Sequence, residues 1–274
     1  MLPNFLVIGS QKSGTTTLHS TLSKHSDVFM PGKKELNYFL ESSEYSKGVR
    51  YYEGFFQKAS QQIAIGEASP GYICHPDAPE RIYECLPSVK LILIVRNPIE
   101  RAYSQYWDNR RHLTEWLSFE ESIEHWLKRE YNPGERGYFS RGLYIIYINR
   151  YLKLFPRENM LILQLDELKQ EPIQFFHKCC IFLGIDPNGI PKHLESSNKS
   201  YIWKNPIYKH FLINFRLNRY LPSLIRRLIC RGRKTGFKYP PMSEESLYRL
   251  KAFYQPFNEE LASFLKKDLG AWLS

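Results

Sequence analysis

Apolar runs of three to seven residues alternate along this chain with longer segments in which apolar positions recur every three or four residues. The runs at 4–9, 63–65, 90–95 and 159–165 predict buried strands, and KLILIV at 90–95 is the clearest. The longer segments have the period of amphipathic helices. They predict helices at 15–24, 75–85, 98–111, 119–129, 143–154, 173–183 and 244–267.

This alternation of strands and helices predicts a three-layer α/β/α fold with a central parallel sheet. Continuous apolar strands indicate a sheet that is covered on both faces. Asn97 and Pro98 are typical of a helix N-cap and first helical residue. Because no linker or internal repeat interrupts the pattern, we expect one domain over residues 1–274. Ligands of such sheets bind beyond the carboxyl ends of the strands, here in the loops after Ile8 and Val95.

The first of these loops, GSQKSGTTTL, joins a strand to a helix in the manner of a phosphate-binding loop. The spacing differs from GxxxxGK[ST], because Thr15 stands where the lysine belongs and Lys12 lies inside the loop. The second loop begins with Arg96, and Ser104 follows about two helical turns later. An arginine fork and a hydroxyl suit a phosphate dianion. The two loops therefore predict two anion sites on one sheet edge.

With these loops the chain resembles the sulfotransferases that use 3'-phosphoadenosine 5'-phosphosulfate (PAPS). QKSGTTTL is similar to their 5'-phosphosulfate loop and RNPIERAYSQYW to their 3'-phosphate motif. HSDVFMPGKKELNYF, GEASPGYICHPDAPERIYECLPSVKLILIVRNP and SRGLYIIYINRYLKLFP resemble the heparan sulfate branch and its bacterial relatives, as does LYRLKAFYQPFNEELASFL. The resemblance implies the sulfotransferase form of the P-loop NTPase-like fold and transfer of a sulfuryl group from PAPS, with adenosine 3',5'-bisphosphate (PAP) as product and no metal.

The resemblance also assigns roles to residues. Glu35 falls at the position of the general base, and Lys12 contacts the bridging oxygen and the 5'-phosphate. The implied nucleotide-binding residues are Lys12, Ser13, Gly14, Thr15, Thr16, Thr17, Arg96, Ser104, Tyr144, Arg233, Lys234 and Gly236. A family lysine is replaced by Ala68, so Lys33 or Lys34 is a candidate to compensate. Tyr144 is equally compatible with the core face of its helix, and Glu67 with a buried structural role.

The net charge of +10 resides in one segment. Residues 196–243 contain eleven Lys and Arg and no Asp or Glu, so the remainder is nearly neutral. This segment is partly amphipathic, which favours a pair of helices that pack on the core with their arginines in solvent. The surface of an anionic membrane or an acidic acceptor is the alternative partner, and nucleic acid is disfavoured. Five cysteines without CxxC spacing and the lack of a long apolar stretch lead us to expect a cytoplasmic protein, with peripheral membrane contact as one option.

The function expected is therefore transfer of a sulfuryl group to a hydroxyl, or less favourably an amine, of a glycan, lipid or small molecule. An alternative of another class is a nucleic-acid or anionic-membrane binding protein that uses the basic segment on an α/β scaffold. A P-loop kinase is a third alternative, which Thr15 disfavours.

Overall fold

The computed structural model describes residues 1–112, 114–128, 137–191 and 239–272, together with the backbone of 201–203 and 233–235. Its main sheet has five parallel strands in the order β2-β3-β1-β4-β5. The strands are β1 (Phe5–Gly9), β2 (Val28–Phe29), β3 (Ala64–Ala68), β4 (Lys90–Val95) and β5 (Met160–Gln164). The predicted parallel sheet is confirmed, and β1 lies at its centre.

Helices cover both faces of this sheet. The two faces follow from the alternation of side chains along β1: Phe5 and Val7 point to one cluster, Leu6 and Ile8 to the other. Helices α1 and α9 pack on the first face, and α4, α5, α7 and α10 pack on the second. The helices are α1 (Thr15–Leu22), α2 (Ser42–Tyr45), α3 (Val49–Glu53), α4 (Ala78–Cys85), α5 (Pro98–His112), α6 (Phe119–Leu127), α7 (Tyr144–Leu152), α8 (Leu165–Gln170), α9 (Pro172–Leu183) and α10 (Glu244–Leu265).

The predicted elements differ from these in a few places. Strand β3 begins one residue after Ile63, whose side chain is exposed, and continues through Gly66 and Glu67. It continues because β1 pairs with β3 from Phe5↔Gly66 to Val7↔Ala68. Helix α4 begins at Ala78 rather than residue 75, since Pro79 sits in its first turn. The two-residue β2 and the short helices α2, α3 and α8 were not predicted.

A second, two-stranded sheet joins the two ends of the basic segment. The backbones of Tyr201–Trp203 (β6) and Arg233–Thr235 (β7) pair antiparallel, with Ile202 opposite Lys234. After it, Tyr239 stacks on Trp107 of α5 with ring centroids 5.9 Å apart. The Tyr103 hydroxyl donates to the Pro240 carbonyl at 2.9 Å. The chain that leads into α10 is thus held against α5.

Candidate active site

A polar cavity of about 430 Å³ opens at the carboxyl ends of β1 and β4. Five of its lining residues come from the loop and helix that follow β1, and four more come from α5. The complete lining is Gln11, Lys12, Gly14, Thr15, Thr16, Lys34, Glu35, Pro70, Arg96, Ser104, Gln105, Asp108, Arg111 and Tyr239. The two predicted anion sites therefore share one cavity.

Two buried serines of the loop after β1 hold it against the sheet. The Ser10 and Ser13 hydroxyl oxygens lie 2.6 Å apart, and the Ser10 hydroxyl donates to the Ile94 carbonyl of β4 at 2.9 Å. Gly14 has a φ of 89°, and a Cβ there would come within 3.0 Å of the Leu165 side chain. Both the backbone conformation and the space favour glycine. Helix α1 begins directly afterwards without a side-chain cap, so the amide groups of its first turn are available to bind an anion.

Arg96 connects the two loops that are predicted to bind anions. Its Nη1 donates to the Lys12 carbonyl at 3.2 Å, while Nε and Nη2 donate to Glu100 Oε2 at 3.1 and 2.8 Å. Lys12 has a left-handed backbone with φ of 67°, which the Arg96 hydrogen bond supports. On α5, Ser104 is 7% exposed and also lines the cavity. Helix α5 starts where predicted, because Asn97 Oδ1 accepts from the Ile99 amide at 3.0 Å.

Glu35 and Lys34 form the opposite wall. The Glu35 side chain is 45% exposed, and its amide donates to the Ala68 carbonyl at 3.1 Å, which ties its left-handed turn to the end of β3. Lys34 Nζ donates to Thr16 Oγ1 at 2.8 Å and lies 3.4 Å from Glu35 Oε1. Burial lowers the pKa of Lys34, and the Glu35 carboxylate partly opposes that shift. Lys34 is thus the lysine that accompanies the phosphate loop, whereas Lys33 is exposed near Phe55.

Glu67 lies beneath this wall and is fully buried. Its carboxylate accepts hydrogen bonds from the Tyr72 hydroxyl at 2.6 Å, Ser69 at 2.7 Å and Tyr52 at 3.3 Å. Burial raises the pKa of Glu67 to about 7 against the hydrogen bonds, which lower it, and the Glu35 charge adds to the rise. Ser69 Oγ in turn accepts from the Asn37 amide at 3.0 Å. Glu67 does not line the cavity, so the expected structural role fits its position.

The predicted site residues divide into three groups. Lys12, Gly14, Thr15, Thr16, Glu35, Arg96 and Ser104 line the cavity. Ser13, Thr17 and Tyr144 do not line it: Ser13 is buried under the loop, and Tyr144 is 1% exposed with its ring against Trp272. The placement of Tyr144 corresponds to the alternative of a helix core face. Arg233 and Lys234 lie in β7, and Gly236 lies outside the described residues.

Several lining residues were not predicted. Asp108 lies four residues after Ser104, so helical spacing alone places both on one face of α5. Tyr239 is separated in sequence from every other lining residue, and no local pattern marks it. Arg141, by contrast, is a residue that the resemblance places near the nucleotide; it does not line the cavity, but its Nη1 contacts Gln11, which does.

Comparison with known proteins agrees with this geometry. Residues 2–264 match the Sulfotransferase domain family. The chain belongs to the sulfotransferase family. Its fold resembles the crystal structure of a sulfotransferase from Alicyclobacillus acidocaldarius, with 26% identity, a TM-score of 0.73 and complete coverage of both chains. Sulfotransferases of this family take the sulfuryl group from PAPS and release PAP.

The relatives of this sulfotransferase chain include heparan sulfate enzymes. It is 29% identical over 287 residues to the bifunctional heparan sulfate N-deacetylase/N-sulfotransferase 4 of Mus musculus, covering 99% of this chain but 31% of that protein. It is 28% identical to the mouse heparan sulfate glucosamine 3-O-sulfotransferase 6, covering 98% of this chain and 73% of that protein. The chain thus spans about a third of the length of the bifunctional relatives. The family match supports neither the P-loop kinase nor the nucleic-acid or anionic-membrane binding protein that the sequence analysis gave as alternatives.

The expectation of a cytoplasmic protein is wrong. Over 135 residues, 48% of this chain, it is 42% identical to the membrane-associated sulfotransferase kil1 of Dictyostelium discoideum, and its relatives also include heparan sulfate enzymes. The cysteine pattern on which that expectation rested reports disulfide and metal frameworks, and it does not determine a compartment. In the part of the chain that the structure describes, no helix has the length and apolar character needed to cross a membrane.

Proposed function

We propose that this chain transfers a sulfuryl group from PAPS to a hydroxyl group of a glycan, with an amine as the less favoured acceptor. The single observation that carries the proposal is that one cavity brings together the phosphate loop, the Arg96 and Ser104 pair, and the Glu35 carboxylate. The cavity suits a nucleotide with two anionic ends, because an uncapped helix start and cationic side chains serve both ends.

In the proposed reaction the acceptor oxygen attacks sulfur, and the bond between sulfur and the bridging phosphate oxygen breaks. Glu35 takes the acceptor proton, and its half-exposed position leaves it accessible to an acceptor that enters from solvent. Lys12 and Lys34 stabilise the charge that develops on the leaving phosphate and the transferring group. We propose that Lys34 replaces the family lysine that is absent at Ala68, because Lys34 contacts Thr16 of the phosphate loop. The bridging oxygen keeps the electron pair of the broken bond.

Arg96 and Ser104 bind the 3'-phosphate in this proposal, and the first turn of α1 binds the 5'-phosphate. Tyr239 offers an aromatic surface for the base, since it lines the cavity and is braced by Trp107. Arg233 and Lys234 remain weaker candidates for the 3'-phosphate. The basic segment, most of which lies outside the described residues, is proposed to face an acidic acceptor.

Calorimetric titration with PAP in EDTA, with 5'-AMP as the ligand that lacks the 3'-phosphate, tests donor binding. We expect PAP to bind more tightly than 5'-AMP, and Lys12→Ala and Arg96→Ala each to weaken PAP about tenfold or more, because each removes a charge-assisted contact. Glu35→Gln should bind PAP like the wild type while turnover with a glycan acceptor falls about 10²- to 10⁴-fold.

Glu41→Gln is the matched control, since Glu41 is exposed, six residues away and outside the cavity. Absence of PAP binding to the wild type would refute the proposed donor site. Normal turnover of Glu35→Gln would leave the donor site standing and remove Glu35 as the base.

A further inference from the structure

A carboxylate lies among the cations of the cavity. Asp108 Oδ2 is 3.5 Å from Lys12 Nζ, and Asp108 Oδ1 contacts the Arg111 guanidinium. His112 approaches the same oxygen at 3.7 Å. Asp108, Lys12 and Arg111 all line the cavity, and the side chains of Lys12 and Asp108 are only 25% and 19% exposed. An acidic group in a cavity that is proposed to bind anions calls for an explanation.

Helix α5 supplies this carboxylate and a second one from the same face. Glu100, Ser104 and Asp108 are spaced by four residues, so they lie above one another on the helix. Glu100 accepts hydrogen bonds from Arg96, just as Asp108 pairs with Lys12. Lys12 and Arg96 therefore each have their own counter-ion on α5. The two pairs differ in exposure, because the Glu100 side chain is 53% exposed and that of Asp108 is 19% exposed.

The difference in exposure between Asp108 and Glu100 determines how strongly each carboxylate opposes the binding of an anion. A carboxylate beside a partly buried lysine is poorly screened, so it lowers the attraction that the lysine exerts on any further anion. In the Arg96 and Glu100 pair the arginine is 19% exposed, but the carboxylate is 53% exposed and is therefore better screened by solvent. Removing the charge of Asp108 would strengthen the attraction of Lys12 for an anion in the cavity.

We propose that Asp108 weakens the hold of the cavity on the 5'-phosphate of the product and thereby promotes its release. The proposal rests on the proposed function. When the bond between sulfur and the bridging oxygen breaks, that oxygen keeps the electron pair, so the 5'-phosphate becomes a terminal group with one more negative charge. The Asp108 carboxylate repels this doubly charged phosphate more than it repels the singly charged phosphate of the donor, whose third oxygen is bound to sulfur in an anhydride.

The test is Asp108→Asn, with the Kd values of PAP, 5'-AMP and 3'-AMP measured by calorimetry. We expect PAP and 5'-AMP to bind about three- to tenfold more tightly than to the wild type. The affinity for 3'-AMP should change by a smaller factor than that for 5'-AMP, because Asp108 contacts Lys12 of the phosphate loop, whereas Arg96 and Ser104 bind the 3'-phosphate in the proposal. In turnover assays, inhibition by added PAP should strengthen in proportion to the fall in its Kd.

Glu100→Gln is the matched control, since it removes the same charge from the same face of α5 at the other anion site. It should change the Kd of 5'-AMP by a smaller factor than Asp108→Asn does, because Glu100 contacts Arg96 and not Lys12. Asp108→Ser is a second variant that removes the charge with a smaller side chain, and the thermal unfolding of all three variants establishes that they fold.

The outcomes separate the two proposals. A wild type that binds PAP while folded Asp108→Asn and Asp108→Ser bind 5'-AMP no more tightly, or less tightly, overturns the role of Asp108 alone. Weaker binding would mean that Asp108 holds Lys12 in its binding position. A wild type that does not bind PAP overturns the proposed function itself.

Discussion

At the scale of single residues, the site owes its shape to three side chains that act through the phosphate loop. Arg96 holds the backbone of Lys12, Asp108 holds its ammonium group, and Lys34 reaches Thr16 at the start of α1. Arg96 was predicted, Lys34 was one of two candidate lysines, and Asp108 was not predicted. Asp108 and the choice between Lys33 and Lys34 concern polar residues in polar segments, where a sequence pattern gives no reason to separate a cavity wall from a solvated surface.

Lys34 and Lys33 offer a sharp comparison at this scale, because they are neighbours with the same chemistry and different surroundings. Lys34→Ala should lower turnover at least about tenfold by removing a cation beside Thr16 and Glu35. Lys33→Ala should leave turnover within about twofold, since Lys33 is exposed and does not line the cavity. Steady-state rates of the two variants at saturating donor test this difference. Equal losses of turnover would contradict the assignment of Lys34 as the cation of the site.

At the scale of elements, the sequence predicts the strands and helices that local apolar patterns and caps define. It misses the part of a strand that depends on hydrogen bonds to residues distant in sequence. The apolar run of β4 and the capped start of α5 are local signals, and both appear at the predicted residues. Strand β3 is different, because Gly66 and Glu67 have low strand propensity. They extend the strand since β1 pairs with them and the hydroxyls of Tyr52, Ser69 and Tyr72 satisfy the buried carboxylate.

Gly66 also shows how closely β1 and β3 pack. A Cβ at Gly66 would come within 2.4 Å of the Phe5 ring, its register partner on β1. Gly66→Ala should therefore destabilise the protein by about 1–3 kcal/mol through overpacking. Phe5→Leu in the Gly66→Ala background should recover part of that loss, because a smaller side chain gives the methyl group space. Urea unfolding of the two single variants and the double variant measures this coupling. Additive losses would contradict it.

At the scale of the whole molecule, the buried Glu67 makes stability depend on pH. Its pKa is about 7 in the folded state and 4.5 for an ordinary glutamate, so the folded state binds more protons between these values. Its contribution to the free energy of unfolding is therefore fully present below pH 4.5 and is lost as pH rises to about 7.

Glu67→Gln should remove this contribution to the pH dependence. Between about pH 5 and pH 8 the wild type should lose on the order of 2–3 kcal/mol relative to the variant. Urea unfolding at a series of pH values checks the difference, with Glu124→Gln on the exposed side of α6 as the control. Parallel curves for wild type and Glu67→Gln would show that Glu67 ionises in the folded state much as it does in the unfolded chain.

The order of the strands and the assembly of the cavity also belong to the scale of the whole molecule. The sequence predicts a parallel sheet, but the order β2-β3-β1-β4-β5 depends on how crossovers stack, which no local pattern encodes. The cavity collects residues from five separate stretches of chain, between Gln11 and Tyr239. The two loops that follow adjacent strands were predictable as partners, because parallel strands end at one edge. The more distant contributors were not.

In the proposed mode of binding, the hydrogen bond from Arg96 to the Lys12 carbonyl links the two phosphate positions. We expect a phosphate that engages Arg96 to restrain the peptide that carries Lys12, so that a ligand with both phosphates gains a coupling free energy. By reciprocity, a phosphate in the loop would strengthen the binding of the opposite phosphate by the same factor. A mixture of 5'-AMP and 3'-AMP should therefore not reproduce the affinity of PAP.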